Sequence, residues 1–296
     1  MRSISLLAAL LAIAMPTAAV ATHPAASVTV DPPRDVRFPA RNQQLVIRSG
    51  GSDMNALLFA AQGEGPKPTV ILLHGLPGNE RNLDLAQALR RVGWNVLTFT
   101  YRGAWGSEGK FSLGNAIEDG EAALAFARSP EGAKLGIDPR RIVIGGHSFG
   151  GGVSALVAAR HTDLLGLILL DAWNFGEESA KTVAGGAEAR RQFTAALDDL
   201  GHSLRGATAE TITDDLIAFN GRHDLLSVTE NLRAMPVLDI YATQGIAAQN
   251  VALIAALKRA GNLRVKGVEI DSDHSFADHR IKLAETVAAW LDTLRR

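Results

Sequence analysis

Three short stretches carry residue types that could do covalent chemistry together: Gly146-His147-Ser148-Phe149-Gly150, His74-Gly75-Leu76-Pro77-Gly78 and Asp271-Ser272-Asp273-His274-Ser275-Phe276. The first fits G-x-S-x-G, a turn that exposes its serine between a strand and a helix. A serine hydroxyl is a poor nucleophile until a base takes its proton, and a histidine titrating near neutral pH is the usual base. Attack on an acyl carbon creates an oxyanion that needs two preorganised N–H donors. The amide of Phe149, directly after the serine, supplies one candidate, and the amide of Leu76 the other. His274 is the candidate base because it falls between the last strand and the last helix, at the sheet edge where the serine turn also opens. His279 is weaker, since it falls at the start of that helix.

These residues need a scaffold. Ile142-Val143-Ile144 is a β-branched, uncharged run, as expected of a strand covered on both faces. The serine turn is strained, so its neighbours must be tiny, and Gly146 and Gly150 meet that need. Gly151 and Gly152 let the following helix, with Val153, Ala155, Leu156, Ala158 and Ala159, sit close to the sheet. Strands are expected over 69–73, 95–100, 164–170, 236–241 and 264–270. A hairpin of 45–48 and 56–60 precedes them. Helices fall between the strands: Leu85, Leu89 and Val92 mark one, and Ile117, Gly120, Leu124 and Ala127 another. A further helix covers 247–260, and Ile281, Ala284, Ala288 and Leu291 mark the last. Strands alternating with helices define an α/β class with a mostly parallel central sheet flanked by helices. Residues 174–235 break the alternation; they are polar, with short helical patterns, and are expected to form a helical cap.

Composition bounds the function. The chain has 296 residues, 47% hydrophobic and 21% charged, which suits one large core. A net charge of −1 argues against nucleic acid or an anionic membrane as a main partner. Arg2, the apolar run 4–15 and Ala19-Val20-Ala21 predict a signal peptide over 1–21, cleaved before Thr22, and hence a periplasmic or secreted protein. The Pro-rich stretch 22–40 is expected to be an exposed arm. The core is then 41–173 with 236–296, and the cap 174–235. No later stretch predicts a membrane span in the mature chain. There is no cysteine, and no ligand spacing suggests a metal or other cofactor. Nothing in the sequence fixes an oligomeric state.

The three motifs, in this order and spacing, make residues 40–296 resemble the α/β-hydrolase superfamily. Tyr101-Arg102-Gly103, with Gly106 and Ser107, resembles a loop of its serine-aminopeptidase-like and dienelactone-hydrolase-like members. The resemblance implies the α/β-hydrolase fold, a cap inserted before the seventh strand, and hydrolysis through an acyl-enzyme. It also implies an acid to orient His274, usually just after the seventh strand. Here that place reads Ala242-Thr243-Gln244-Gly245-Ile246, with no carboxylate. Asp239 falls inside the strand, and Asp271 and Asp273 stand too close to His274 in the chain. Asp171, just after the sixth strand, is a position some members use; it would equally serve as a helix cap or solvated loop end. The expected function is an exported serine hydrolase cleaving a carboxylic ester or related acyl compound, with a small-molecule acyl substrate. Trp105, Phe111, Trp173 and Phe175 would line an acyl pocket or pack the cap onto the core. The alternatives are an aminopeptidase-like enzyme holding a substrate amine on Glu177, Glu178 or Asp224, and a catalytically weak relative that binds a ligand.

Overall fold

The computed structural model describes residues 29–197, 200 and 203–295, so the expected signal peptide and cleavage site lie outside the described residues. The chain opens with β1 (Arg41–Ser49) and β2 (Ser52–Ala60), an antiparallel hairpin. Its two-residue turn is Gly50-Gly51 with φ of 53° and 80°. Both are left-handed, a conformation glycine adopts without a Cβ penalty, and the mirror-type turn they form matches the twist of the flanking strands. The pairing is longer than the apolar alternation suggests, because polar Arg41–Gln44 extend the edge strand.

β3 (Lys67–Leu73), β4 (Asn95–Phe99), β5 (Ile137–His147), β6 (Gly166–Leu170), β7 (Val237–Gln244) and β8 (Val265–Asp273) complete an eight-stranded sheet. Its order is β1-β2-β4-β3-β5-β6-β7-β8. β2 pairs antiparallel with β4, and every later pairing is parallel. β4 and β6 are uncharged and buried throughout, because both of their faces are covered.

α1 (Leu83–Arg91) and α9 (Arg280–Thr293) cover one face, packing Leu85, Leu89, Leu283 and Val287 on Leu72, Val143 and Ile240. α2 (Leu113–Ala127), α4 (Phe149–Ala158) and α8 (Ala247–Arg259) cover the other, against Leu73, Ile144 and Leu169. A short α3 (Pro130–Lys134) leads into β5. The stripe expected on the last helix is corrected at one end. Ile281 is exposed, and the buried run starts at Leu283, so the first turn of α9 faces solvent.

Between β6 and β7 lie α5 (Phe175–Ala184), α6 (Gly186–Ala196), α7 (Ala209–Phe219) and a 3₁₀ turn, Leu225–Val228. α5 is wedged in: a Cβ on Gly176 would fall 2.1 Å from the amide nitrogen of Asp224. α6 buries no residue. The strand-like stretch after α6 runs along the loop that follows β4, with Trp105 N–H donating to Ser203 O (2.9 Å) and Phe111 N–H to Arg205 O (3.0 Å). Among the described residues no helix is long and apolar enough to cross a membrane.

Candidate active site

β5 ends at His147 and α4 begins at Phe149, so the chain reverses at Ser148 alone. Its φ of 54° with ψ of −122° is a conformation that L-residues avoid. The turn closes only because its flanks are glycine. A Cβ on Gly146 would lie 2.4 Å from the carbonyl carbon of Gly150, and one on Gly150 would lie 2.4 Å from His74 O. The strain is held by Ser148 N–H donating to Leu170 O (2.9 Å) and by Trp173 N–H donating to Ser148 O (2.9 Å). Ser148 is half-buried, while both neighbours in the chain are buried.

The loop after β3 packs directly against this turn. A Cβ on Gly75 would sit 3.1 Å from Ser148 Cβ, so Gly75 lets the backbone approach the serine. Tyr101, wholly buried, donates its hydroxyl to His74 O (3.2 Å), and Trp105 donates Nε1–H to Pro77 O (2.8 Å). The amides of Leu76 and Phe149 thus flank the serine on two separately anchored segments. Neither amide donates a hydrogen bond to another group among the described residues. Phe149 is also the first residue of α4, where N–H groups lack intrahelical partners and the helix dipole favours negative charge.

Asp171, the first residue past β6, stands at φ 44° and is wholly buried. Its Oδ2 lies 2.6 Å from His274 Nδ1. The same carboxylate accepts from Ala242 N–H (3.2 Å), Ile246 N–H (3.1 Å) and Asn250 Nδ2 (3.4 Å). Donation to a carboxylate places the imidazole proton on Nδ1, leaving Nε2 of His274 as the acceptor a serine proton requires. The His274 side chain is 38% exposed, at the mouth of the site. Ser148 Oγ and His274 Nε2 share no hydrogen bond here; such contacts often tighten only when substrate binds.

The two carboxylates just before His274 in the chain are engaged elsewhere. Asp271 accepts from the Thr243 hydroxyl (2.6 Å), and Asp273 caps its own loop through Ser275 N–H (3.1 Å) and Ala277 N–H (2.8 Å). Asp239 is wholly buried with neither oxygen hydrogen-bonded among the described residues. Gln244 is exposed. The place expected to carry an acid instead makes room for one: a Cβ on Gly245 would fall 1.9 Å from Asp171 Oδ2.

Two further histidines are buried beside the serine, and each turns a ring nitrogen to a backbone carbonyl: His74 Nδ1 to Gly75 O and His147 Nε2 to His274 O, both at 2.7 Å. Burial pushes His74 down to about 4, and burial with the neighbouring His274 pushes His147 down to about 4. His147 and the donors Ala242, Ile246 and Asn250 escape a sequence search. The available hint is the glycine at 245, where an acid is usual.

The aromatics divide. Phe111 and Phe175 are buried and pack with Phe149 in the core (6.3 Å and 5.2 Å between ring centroids). Trp173 is half-buried and stacks on Phe193 of α6 (6.2 Å). A cavity of about 550 Å³ lies behind the His74 loop, lined by Leu57, Thr98, Arg81 and Trp105 among others, and neither Ser148 nor His274 lines it. Of the carboxylates open to a substrate amine, Glu177 pairs with Lys181 (2.6 Å) and Asp224 accepts from Asn174 Nδ2 (2.7 Å). Among the described residues no cluster of side chains could hold a metal ion.

A sheet of this order, with a strained serine at the end of β5 and a histidine after β8, is the α/β-hydrolase fold. The family model described as "alpha/beta hydrolase fold" matches residues 68–199. The chain is 34% identical over 142 residues to the quorum-quenching protein AidA of Acinetobacter baumannii. That match covers 46% of this chain and 42% of AidA, so it spans less than half of the relative's length. A thermostable carboxyl esterase from Bacillus coagulans superposes with a TM-score of 0.65 at 15% identity, over 86% of this chain and 98% of the esterase. The acylaminoacyl peptidase of Pyrococcus horikoshii superposes with a TM-score of 0.64 at 16% identity, over 86% of this chain and 41% of the peptidase. At such identities these structures share the fold.

Proposed function

We propose that this protein is an exported serine hydrolase that cleaves a small carboxylic ester through an acyl-enzyme. Ser148 Oγ attacks the acyl carbon while His274 Nε2 takes its proton. The amides of Leu76 and Phe149 hold the oxyanion, and Asp171 keeps the imidazole in the required tautomer and stabilises it as imidazolium. His274 then returns the proton to the leaving alkoxide, and water repeats the sequence on the acyl-enzyme. The observation that carries this proposal is the 2.6 Å contact of His274 Nδ1 with a wholly buried carboxylate. A buried carboxylate with four donors costs desolvation that surface loop chemistry would not require.

Trp173, whose amide donates to Ser148 O, stacks on Phe193 of α6, an apolar surface that suits an apolar acyl group. The helices α5 to α7 act as the lid. Export rests on the apolar N-terminal run and its small-residue cleavage site. Glu177 and Asp224 already have partners within the lid, which leaves Glu178 as the carboxylate a substrate amine would need, so an ester is the simpler substrate. The quorum-quenching relative adds quorum signals to the compounds worth testing.

A fluorophosphonate probe tests the central assignment: wild-type protein should label and Ser148→Ala should not. Undiminished hydrolysis by purified Ser148→Ala would remove Ser148 as the nucleophile. A series of p-nitrophenyl esters of increasing acyl length, run beside aminoacyl p-nitroanilides, should show turnover of the esters.

A further inference from the structure

His147 occupies the variable position before the serine and has no part in the chemistry above. Yet its Nε2 lies 2.7 Å from the main-chain carbonyl oxygen of His274, and the two rings stand 4.6 Å apart at 42°. A carbonyl only accepts, so Nε2 carries the hydrogen and His147 is the donor. Its ring also borders the oxyanion loop: a Cβ on Gly75 would lie 3.2 Å from His147 Nδ1 and 3.1 Å from Ser148 Cβ.

The two ends of this hydrogen bond differ in rigidity. His147 is the last residue of β5, paired with Leu170 of β6 inside the sheet. His274 stands in the loop beyond β8, three strands away in the sheet order. Asp171 holds its ring at Nδ1 alone, and a single hydrogen bond leaves the ring free to swing about that contact. A second tie at the backbone removes this freedom. Misplacing a base by about 1 Å can cost on the order of 10²-fold in rate, so the tie has consequences for turnover.

We propose that His147 is a positioning residue, which from the rigid end of β5 holds the main chain of His274 and so sets where the base stands over Ser148. This inference rests on the serine-hydrolase proposal. Its neutrality is part of the design: burial keeps the ring uncharged beside an imidazole that must itself become cationic during turnover.

The test compares wild type, His147→Gln and His147→Phe. Gln places an N–H donor the same number of bonds from Cα as His Nε2, whereas Phe keeps the ring and lacks the donor. With a p-nitrophenyl ester, His147→Phe should lower kcat by about 10- to 100-fold with KM changed less than about 3-fold. The rate of fluorophosphonate labelling should fall in parallel, and His147→Gln should recover to within about 5-fold of wild type. Near-wild-type kcat in His147→Phe, or equal losses in two well-folded variants, overturns the proposal. The imidazole ¹⁵N spectrum of the wild type needs no variant to fold. His147 should carry its proton on Nε2, and a proton on Nδ1 would overturn the proposal by itself. Wild-type protein that neither labels nor turns over would instead sink the serine-hydrolase proposal, and this inference with it.

Discussion

Asp171 Oδ2 meets His274 Nδ1 at 2.6 Å although the two residues leave the sheet on β6 and β8, with β7 between them. The carboxylate crosses that gap through the space over Gly245. The segment after β7 contributes donors, Ala242 N–H and Ile246 N–H, instead of an acid. Asp171→Asn preserves size and tolerates the left-handed φ, but it cannot stabilise an imidazolium. Its kcat should fall by about 10²- to 10⁴-fold with the fold intact, as measured by ester hydrolysis beside thermal unfolding.

Gly245 yields a sharper version. A Cβ there falls 1.9 Å from Asp171 Oδ2, so Gly245→Ala should displace the carboxylate and cost at least about 10-fold in kcat. The same direction makes Gly245→Asp the place to return an acid when Asp171 is replaced by glycine. The double variant should regain part of the rate lost in Asp171→Gly alone. A double variant no faster than Asp171→Gly would show that position 245 cannot deliver a carboxylate to His274.

His74 and His147 predict an acid limit. Each titrates at 6.5 in the unfolded chain and about 4 in the folded one. Between those values the unfolded chain binds more protons, so their contribution is complete above 6.5, shrinks as pH falls, and is gone below about 4. The loss should be about 3 kcal/mol for each histidine. Denaturant unfolding between those two pH values should show this slope, and His147→Gln should remove roughly half of it.

Asp239 acts in the opposite sense. Burial first, and the charge of Asp171 second, push its carboxyl well above the ordinary 3.8. The folded state then holds a proton that the unfolded chain releases, so this group lowers stability progressively as pH rises from 3.8. Asp239→Asn should change little in acid and raise the unfolding midpoint near neutral pH, by roughly 2–4 °C per kcal/mol gained in a domain of this size. Equal effects at both pH values would show that Asp239 is not protonated in the fold.

Arg102 anchors the loop that carries Trp105. Its Nε donates to Asp119 Oδ1 (2.5 Å), its amide to Asp119 Oδ2 (2.8 Å), and Nη2 to Asn115 O (2.9 Å). Both members of the pair are buried. Asp119→Ala removes the buried partner and leaves the guanidinium only the exposed Glu118 (2.7 Å), so it should destabilise the protein by about 1–3 kcal/mol in denaturant unfolding, more than loss of an exposed pair.

The strand–serine–helix turn, the order of motifs and the alternation of strands with helices are local or periodic properties, and the chain alone determined them. Gly146 and Gly150 were legible because a strained turn tolerates only glycine beside it, and His274 because it follows the last strand. The partner of His274 was legible only as a candidate: Asp171 was singled out by its place after the sixth strand, with a helix cap or loop end an equal reading, because its distance from His274 depends on the stacking of β6, β7 and β8. Tertiary structure alone decided that Asp271 and Asp273 bond elsewhere, that Asp239 lies buried with no hydrogen bond to its carboxylate among the described residues, and that the glycine at 245 leaves the space Asp171 fills. The same holds for His147, whose hydrogen bond spans 127 residues of chain. A pattern of residue types carries no information about which side chain a strand order brings within bonding distance, because that distance is set by sheet register and loop path.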